Sequence, residues 1–136
     1  MIAAPNMPLP EHALILVVER NPAVQRLERY LLEQAGYQVE FVSDGLAGFV
    51  RAQELKPHLL ITEILVPKLD GLSLCHRLKT NPATSSIRVL IFSHLEAEDR
   101  AREAGADAFI GKPLNGERLV TSVEKLIRKS QAGLEP

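Results

Sequence analysis

Five side chains in this sequence have the types and the spacing to do chemistry together. Glu19 and Arg20 follow the apolar run 13–18, Glu63 lies within the run 59–65, Ser93 ends the run 88–93, and Lys112 follows the run 108–111. A fold that lays these runs side by side brings a carboxylate, a guanidinium, a second carboxylate, a hydroxyl and an ammonium to one edge. The four formal charges sum to zero. A guanidinium offers only donors, is repelled by a dication, and pairs bidentately with a carboxylate. The blander alternative is that Glu19 and Glu63 are solvated ends of strands. Ser93 and His94 make a poor hydrolase dyad, because they are neighbours at a strand end, where successive side chains point to opposite faces.

The elements that must position these groups alternate five times between a dense apolar run and an amphipathic stretch. Residues 13–18 form a continuous β-branched and leucine run, as expected of a strand buried on both faces. Asn21-Pro22 supplies an N-cap and a first-turn proline for a helix whose apolar positions Val24, Leu27, Leu31 and Ala35 recur every three or four residues, ending at Gly36. A second strand is expected over 38–42, with Asp44 capping a helix to about Lys56, where Pro57 stops it. The third unit is a strand over 59–65, a loop through Pro67 and Asp70-Gly71, and a helix over 72–79. Asn81-Pro82 precedes a strand over 88–93 and a short charged helix from about 96 to 104, in which alanines replace large apolar residues. A last strand over 108–111 leads to a helix over 116–129. Five strands each followed by a helix imply right-handed crossovers and a parallel sheet covered on both faces. In such sheets ligands sit beyond the carboxyl ends of the strands.

Composition narrows the function classes. A chain of 136 residues makes one domain, expected over 13–129, with a flexible lead at 1–12 and a flexible tail or linker stub at 130–136. Sixteen basic against 17 acidic residues leave no basic excess, and no recognition helix remains once the five units are assigned, which argues against nucleic-acid binding within this chain. No apolar run reaches the roughly 18–20 residues that span a bilayer. One cysteine, Cys75, rules out an internal disulfide and reads as a packing residue, and the location expected is the cytoplasm. His12, His58 and His76 share no metal-ligand spacing. Neither G-x-x-x-x-G-K-[ST] nor G-x-G-x-x-G occurs, and Glu19-Arg20-Asn21-Pro22 is too charged and tight to cradle a flavin phosphate.

From about Leu14 to Lys129 the chain resembles the receiver domain of bacterial response regulators. The resemblance rests on Leu14-Ile15-Leu16-Val17-Val18 before an acidic turn, on Pro67-Lys68-Leu69-Asp70-Gly71, and on Gly105-Ala106-Asp107-Ala108-Phe109-Ile110-Gly111-Lys112-Pro113. It implies a three-layer, flavodoxin-like (βα)5 doubly wound sheet with strand order 2-1-3-4-5, serving a two-component phosphorelay. In the family an aspartate on the third strand accepts a phosphoryl group from a kinase histidine, and two acids after the first strand help it hold Mg²⁺. A Ser or Thr and a Lys bind the phosphoryl oxygens, and an aromatic on the fifth strand acts as a switch. By position Ser93, Lys112 and Phe109 match the last three in type. The acidic pair is Glu19-Arg20, however, and the acceptor position holds Glu63.

These departures set the functional expectation. The family site gathers three carboxylates against one lysine, an excess that a dication relieves. Mg²⁺ wants octahedral oxygen ligands at about 2.0–2.1 Å, and Arg20 supplies none. No cofactor is therefore expected, and Arg20 is expected to pair with Glu63 in place of the metal. Glutamate is one methylene longer than aspartate, and a misplacement of about 1 Å can cost on the order of a hundredfold in rate. The chain is expected to be a non-enzymatic, phosphorylation-independent protein-interaction module. The alternatives are an ordinary phosphoacceptor that tolerates Glu63, or a domain fixed in an active-like form by Glu63 reaching Ser93 and Lys112. Partners are expected on the face of the fourth helix, fifth strand and fifth helix, including a second copy of the chain. A histidine kinase or an output domain in a longer chain is a further expected partner.

Overall fold

Each of the five apolar runs forms a strand, and each strand is followed by a helix, in a computed structural model that describes residues 13–112 and 115–132. In chain order these are β1 (Leu14–Val18), α1 (Pro22–Gln34), β2 (Gln38–Val42), α2 (Gly45–Leu55), β3 (Leu59–Thr62), α3 (Gly71–Thr80), β4 (Arg88–Ser93), α4 (Glu98–Glu103), β5 (Ala108–Gly111) and α5 (Gly116–Ala132). All strand pairs are parallel, in the order β2-β1-β3-β4-β5. The expected lead at 1–12 with His12, and Pro113 and residues 133–136, lie outside the described residues.

The alternation of side chains along a strand divides the core into two layers. From β1, Ile15 and Val17 enter a cluster with Leu32 of α1 and Leu119, Val123 and Ile127 of α5. Leu16 and Val18 point the other way, into a cluster with Ala52 of α2, Leu74, Cys75 and Leu78 of α3, and Ala101 of α4. Burial pushes the Cys75 thiol up to about 12, so it stays protonated and packs as a small apolar group.

Local chemistry starts the helices where the sequence places them. The Asn21 side chain accepts hydrogen bonds from the Ala23 and Val24 amides at 2.9 and 3.4 Å, and Asp44 accepts from Ala47 at 2.7 Å. Asp70 accepts from both the amide and the hydroxyl of Ser73, at 2.9 and 2.8 Å. These bonds satisfy first-turn donors that the helix itself leaves unpaired.

Four details differ from the sequence expectation. β3 ends at Thr62 rather than 65, because the Ile64 carbonyl accepts from the amides of both Val66 and Gly71 and turns the chain out of the sheet. α4 is shorter than expected, Glu98–Glu103, and its one alanine, Ala101, is fully buried, with Ala97 buried at its N-cap. α5 continues to Ala132, so the first residues of the expected tail belong to a helix. The inward face of α1 is rotated: Leu27 is 45% exposed and Ala35 is exposed, while Glu28 and Leu32 are buried and Val24 and Leu31 partly so. The spacing 24, 28, 31, 32 is helical, but it places a carboxylate where an apolar residue is expected.

Candidate functional site at the carboxyl edge of the sheet

Strand register brings the sequence-selected residues together. β1 and β3 are neighbours with Val18 opposite Thr62, so the next residue of each, Glu19 and Glu63, leaves the sheet side by side. The Glu19 amide donates to the Val42 carbonyl at 3.0 Å, and the Glu63 amide to the Val18 carbonyl at 3.1 Å. In β4 and β5, Ser93 lies opposite Gly111, and the following Lys112 amide donates back to the Ser93 carbonyl at 2.8 Å. Two inner strands thus aim the acids, and an edge strand aims the lysine back across them.

The loop after β3 is held by close backbone approaches that exclude a side chain. A Cβ on Gly71 would lie 2.2 Å from the Glu63 carbonyl oxygen, and one on Gly45 would lie 1.7 Å from the carbonyl oxygen of Leu69. Glycine is therefore required where α3 and α2 begin. The Thr62 hydroxyl donates to that same Glu63 carbonyl at 2.8 Å. The backbone around the acceptor position is fixed from three sides.

The side chains form a buried ionic triad. Lys112 Nζ lies 2.7 Å from Glu19 Oε1 and 2.9 Å from Glu63 Oε2, and the three side chains are only 5%, 3% and 7% exposed. The ammonium also lies 5.1 Å from the centre of the Phe92 ring. The second oxygen of each acid is taken by backbone: Glu19 Oε2 accepts from the Asn21 amide at 3.0 Å, and Glu63 Oε1 from the Ile64 amide at 2.7 Å. The Gln25 amide group donates to the Glu19 carbonyl. Burial alone would push Glu63 up, but hydrogen bonds from Lys112 and Ser93, the Lys112 charge and the Ile64 amide hold it below the ordinary carboxylate range. Burial would likewise lower Lys112, yet the two carboxylates outweigh it and hold the ammonium above its ordinary value.

One expectation about this edge needs correction, and the blander alternative falls away. Glu19 and Glu63 are not solvated strand ends. Arg20 does not replace the metal by pairing with Glu63: it is exposed, and among the described residues the close cation at Glu63 is Lys112. Successive side chains diverge at the end of a strand, so Glu19 turning inward sends Arg20 outward. His94 Nδ1 is 3.8 Å from Glu63 but the ring is 70% exposed, so it borders the site rather than forming it. Ser93 is fully buried, and its Oγ accepts from the Leu95 amide at 3.2 Å. Phe109 is half-buried, against the apolar layer that includes Ala97 and Ala101.

One residue escaped the sequence reading. Glu28 of α1, 1% exposed, feels the charges of Glu19, Lys112 and Glu63, and its Oε1 has no hydrogen-bond partner among the described residues. Its pKa is raised to about 8, first by burial and then by the charge of Glu19, with Lys112 opposing. The signal was present in the helical spacing, since position 28 falls within the arc defined by Val24, Leu31 and Leu32.

An open parallel sheet in this order, carrying acids, a hydroxyl and a lysine at its carboxyl edge, defines a receiver-type site. The chain belongs to the response regulator receiver domain family, whose model it matches over residues 15–124. It is 34% identical over 119 residues to the DNA-binding dual master transcriptional regulator RpaA of Synechocystis sp., covering 85% of this chain and 49% of that protein. It is 37% identical over 123 residues to a gliding motility regulatory protein of Myxococcus xanthus, covering 88% of this chain and 16% of that one. The chain thus spans half or less of the length of these two relatives. Among solved structures, the signal receiver domain of a signal transduction histidine kinase from Syntrophus aciditrophicus superposes with a TM-score of 0.79 at 35% identity, covering 90% of this chain and 92% of that one. No described helix is long and apolar enough to cross a membrane.

Proposed function

We propose that this receiver domain works as a phosphorylation-independent protein-interaction module with no enzymatic step of its own, its degenerate site being closed by Lys112. The observation that carries this reading is the Lys112 ammonium seated between Glu19 and Glu63 at 2.7 and 2.9 Å. All four carboxylate oxygens already have a donor, and the position of the second acid holds an exposed Arg20. Such a donor set does not fit Mg²⁺, which would have to displace a buried ammonium and find its remaining ligands in water. Phosphoryl transfer depends on positioning and on charge neutralisation by metal, and both are compromised here.

The test is a titration with beryllofluoride and Mg²⁺ followed by NMR. The expected result is no saturable, Mg²⁺-dependent shift at Glu63, Ser93 or Phe109. Saturable binding there would return the domain to the ordinary phosphoacceptors.

A specific observation also favours a constitutively active-like form. Glu63 is bound by Lys112, and the Ser93 hydroxyl helps hold it ionised. These are the two groups the family uses on phosphoryl oxygens. On this reading Glu63→Ala leaves Lys112 on Glu19 alone and shifts the amide resonances of Phe109 and of the α4–β5–α5 face. If only residues next to position 63 respond, Glu63 is a filler and mimics nothing.

The partner surface we propose is that same face, where Phe109 and residues 96–100 line a shallow cavity of about 590 Å³. A protein partner or a second copy of the chain would dock there in the cytoplasm. A histidine kinase or an output domain would belong to the longer assemblies in which receivers work.

A further inference from the structure

The opposite edge of the sheet, at the amino ends of the strands, holds a cavity of about 430 Å³ that the receiver reading does not use. Three separate segments line it. Lys56 and His58 come from the connection between α2 and β3, Ser85, Ser86 and Arg88 from the connection between α3 and β4, and Ser130 from the last turns of α5.

Among the described residues no acid lines this cavity, and what its walls offer is donors. Lys56 spends one of its three N–H groups on the Ala83 carbonyl at 3.1 Å. His58 Nδ1 accepts from the Leu14 amide at 3.1 Å, so in the neutral ring the proton sits on Nε2, which can donate. Arg88 gives one terminal nitrogen to Asp107 at 3.3 Å, while its Nε is buried without an acceptor. The hydroxyls of Ser85 and Ser86 make no hydrogen bond among the described residues. Among the described residues of the lining, Lys56 and Arg88 are the charged groups, and Asp107, outside the lining, pairs with Arg88 at 3.3 Å and with Lys79 at 2.8 Å. Cations at the ends of α2 and α5 have an ordinary role in complementing helix dipoles. That role does not account for the His58 ring and the exposed hydroxyls of Ser85 and Ser86 lining the same cavity.

We infer that this cavity is an anion site for a small phosphomonoester. A dianionic, tetrahedral oxyanion matches the local excess of positive charge and can accept from donors converging from three segments, which a planar carboxylate cannot do equally. The cavity exceeds the size of a phosphate ion, so it has room for an organic group of sugar size attached to it. The site is independent of the Lys112 triad and of any partner on the α4–β5–α5 face.

The experiment is an NMR titration of the full chain with inorganic phosphate, ribose 5-phosphate, acetate and, at matched ionic strength, sodium chloride. Saturable shifts are expected at His58 and residues 85–88 with both phosphates, tighter with ribose 5-phosphate if the organic group is held. Free phosphate binding equally well would assign the site to the ion alone and remove the phosphomonoester claim. Lys56→Met, and separately Ser85→Ala with Ser86→Ala, should each weaken binding tenfold or more. Neither touches the Arg88–Asp107 pair, so folding is preserved. Sodium chloride or acetate reproducing the shifts, unchanged affinity in both variants, or shifts mapping to Lys112 would each overturn the inference.

Discussion

Replacing Lys112 with methionine is expected to destabilise the domain by about 3–5 kcal/mol, the usual cost of removing one partner from a buried ion pair. The reason is what stays behind. Glu19 and Glu63, 3% and 7% exposed, would face each other across the space that the ammonium fills, with only the amides of Asn21 and Ile64 to stabilise their charge. At least one of the two would then hold its proton well above the ordinary range. The pH dependence follows with a definite sign. In the natural chain the folded-state pKa of Glu63 is depressed, so its contribution is present above 4.5 and is lost as pH falls through the lower folded value. In the variant the carboxyl pKa is raised instead, so stability falls as pH rises. The deficit of Lys112→Met should therefore be larger at pH 8 than at pH 5 in urea unfolding. A loss under about 1 kcal/mol at pH 8, or an equal deficit at both values, would show that the triad is not what holds this edge.

The second large effect runs in the opposite direction. Glu28→Gln is expected to stabilise the domain at neutral pH, because the natural carboxyl is buried without a partner at Oε1 beside Glu19. Its folded-state pKa of about 8 lies above the ordinary 4.5, so the folded form binds the extra proton. Stability contributed by that proton is complete below 4.5 and drains away as pH rises through about 8. At pH 7 the accumulated cost is about 3 kcal/mol, and glutamine, which never ionises, avoids it. Unfolding curves at pH 5, 7 and 9 should show the natural chain losing stability across the series and the variant changing much less from this position. Parallel slopes for the two proteins would mean that Glu28 reaches solvent or a counter-charge in solution.

The sequence carried most of the architecture because its signals are local and repeated. The run 13–18 can only be a strand buried on both faces, and Asn21-Pro22, Asp44 and Asp70 each cap the helix that follows them. The convergence of Glu19, Glu63, Ser93 and Lys112 also follows from strand ends alone. What could not be read was the choice of partner. Charge counting left two cations and two carboxylates and favoured the guanidinium for its geometry. The backbone decides otherwise, because Arg20 shares a strand end with Glu19 and must diverge from it, whereas Lys112 enters from an edge strand pointing inward. Glu28 was missed for a related reason: the leucine at 27 pulls the apparent apolar face of α1 one position away from the true one.

The triad is also a statement about the order in which the chain assembles. Lys112 is separated from Glu63 by 49 positions in sequence and from Glu19 by 93, so the first contact needs the ends of β3 and β5, and the second those of β1 and β5, brought to one edge. Interactions this non-local pay loop-closure entropy before they form and are expected on the late side of the folding barrier, which a φ-value near zero for Lys112→Met would check. Their energy then resists escape from the native basin and does little to hasten entry into it. A lysine seated between two buried acids from distant strands is in this way expected to act as a kinetic clasp, closing on the molecule late and setting how long it stays shut.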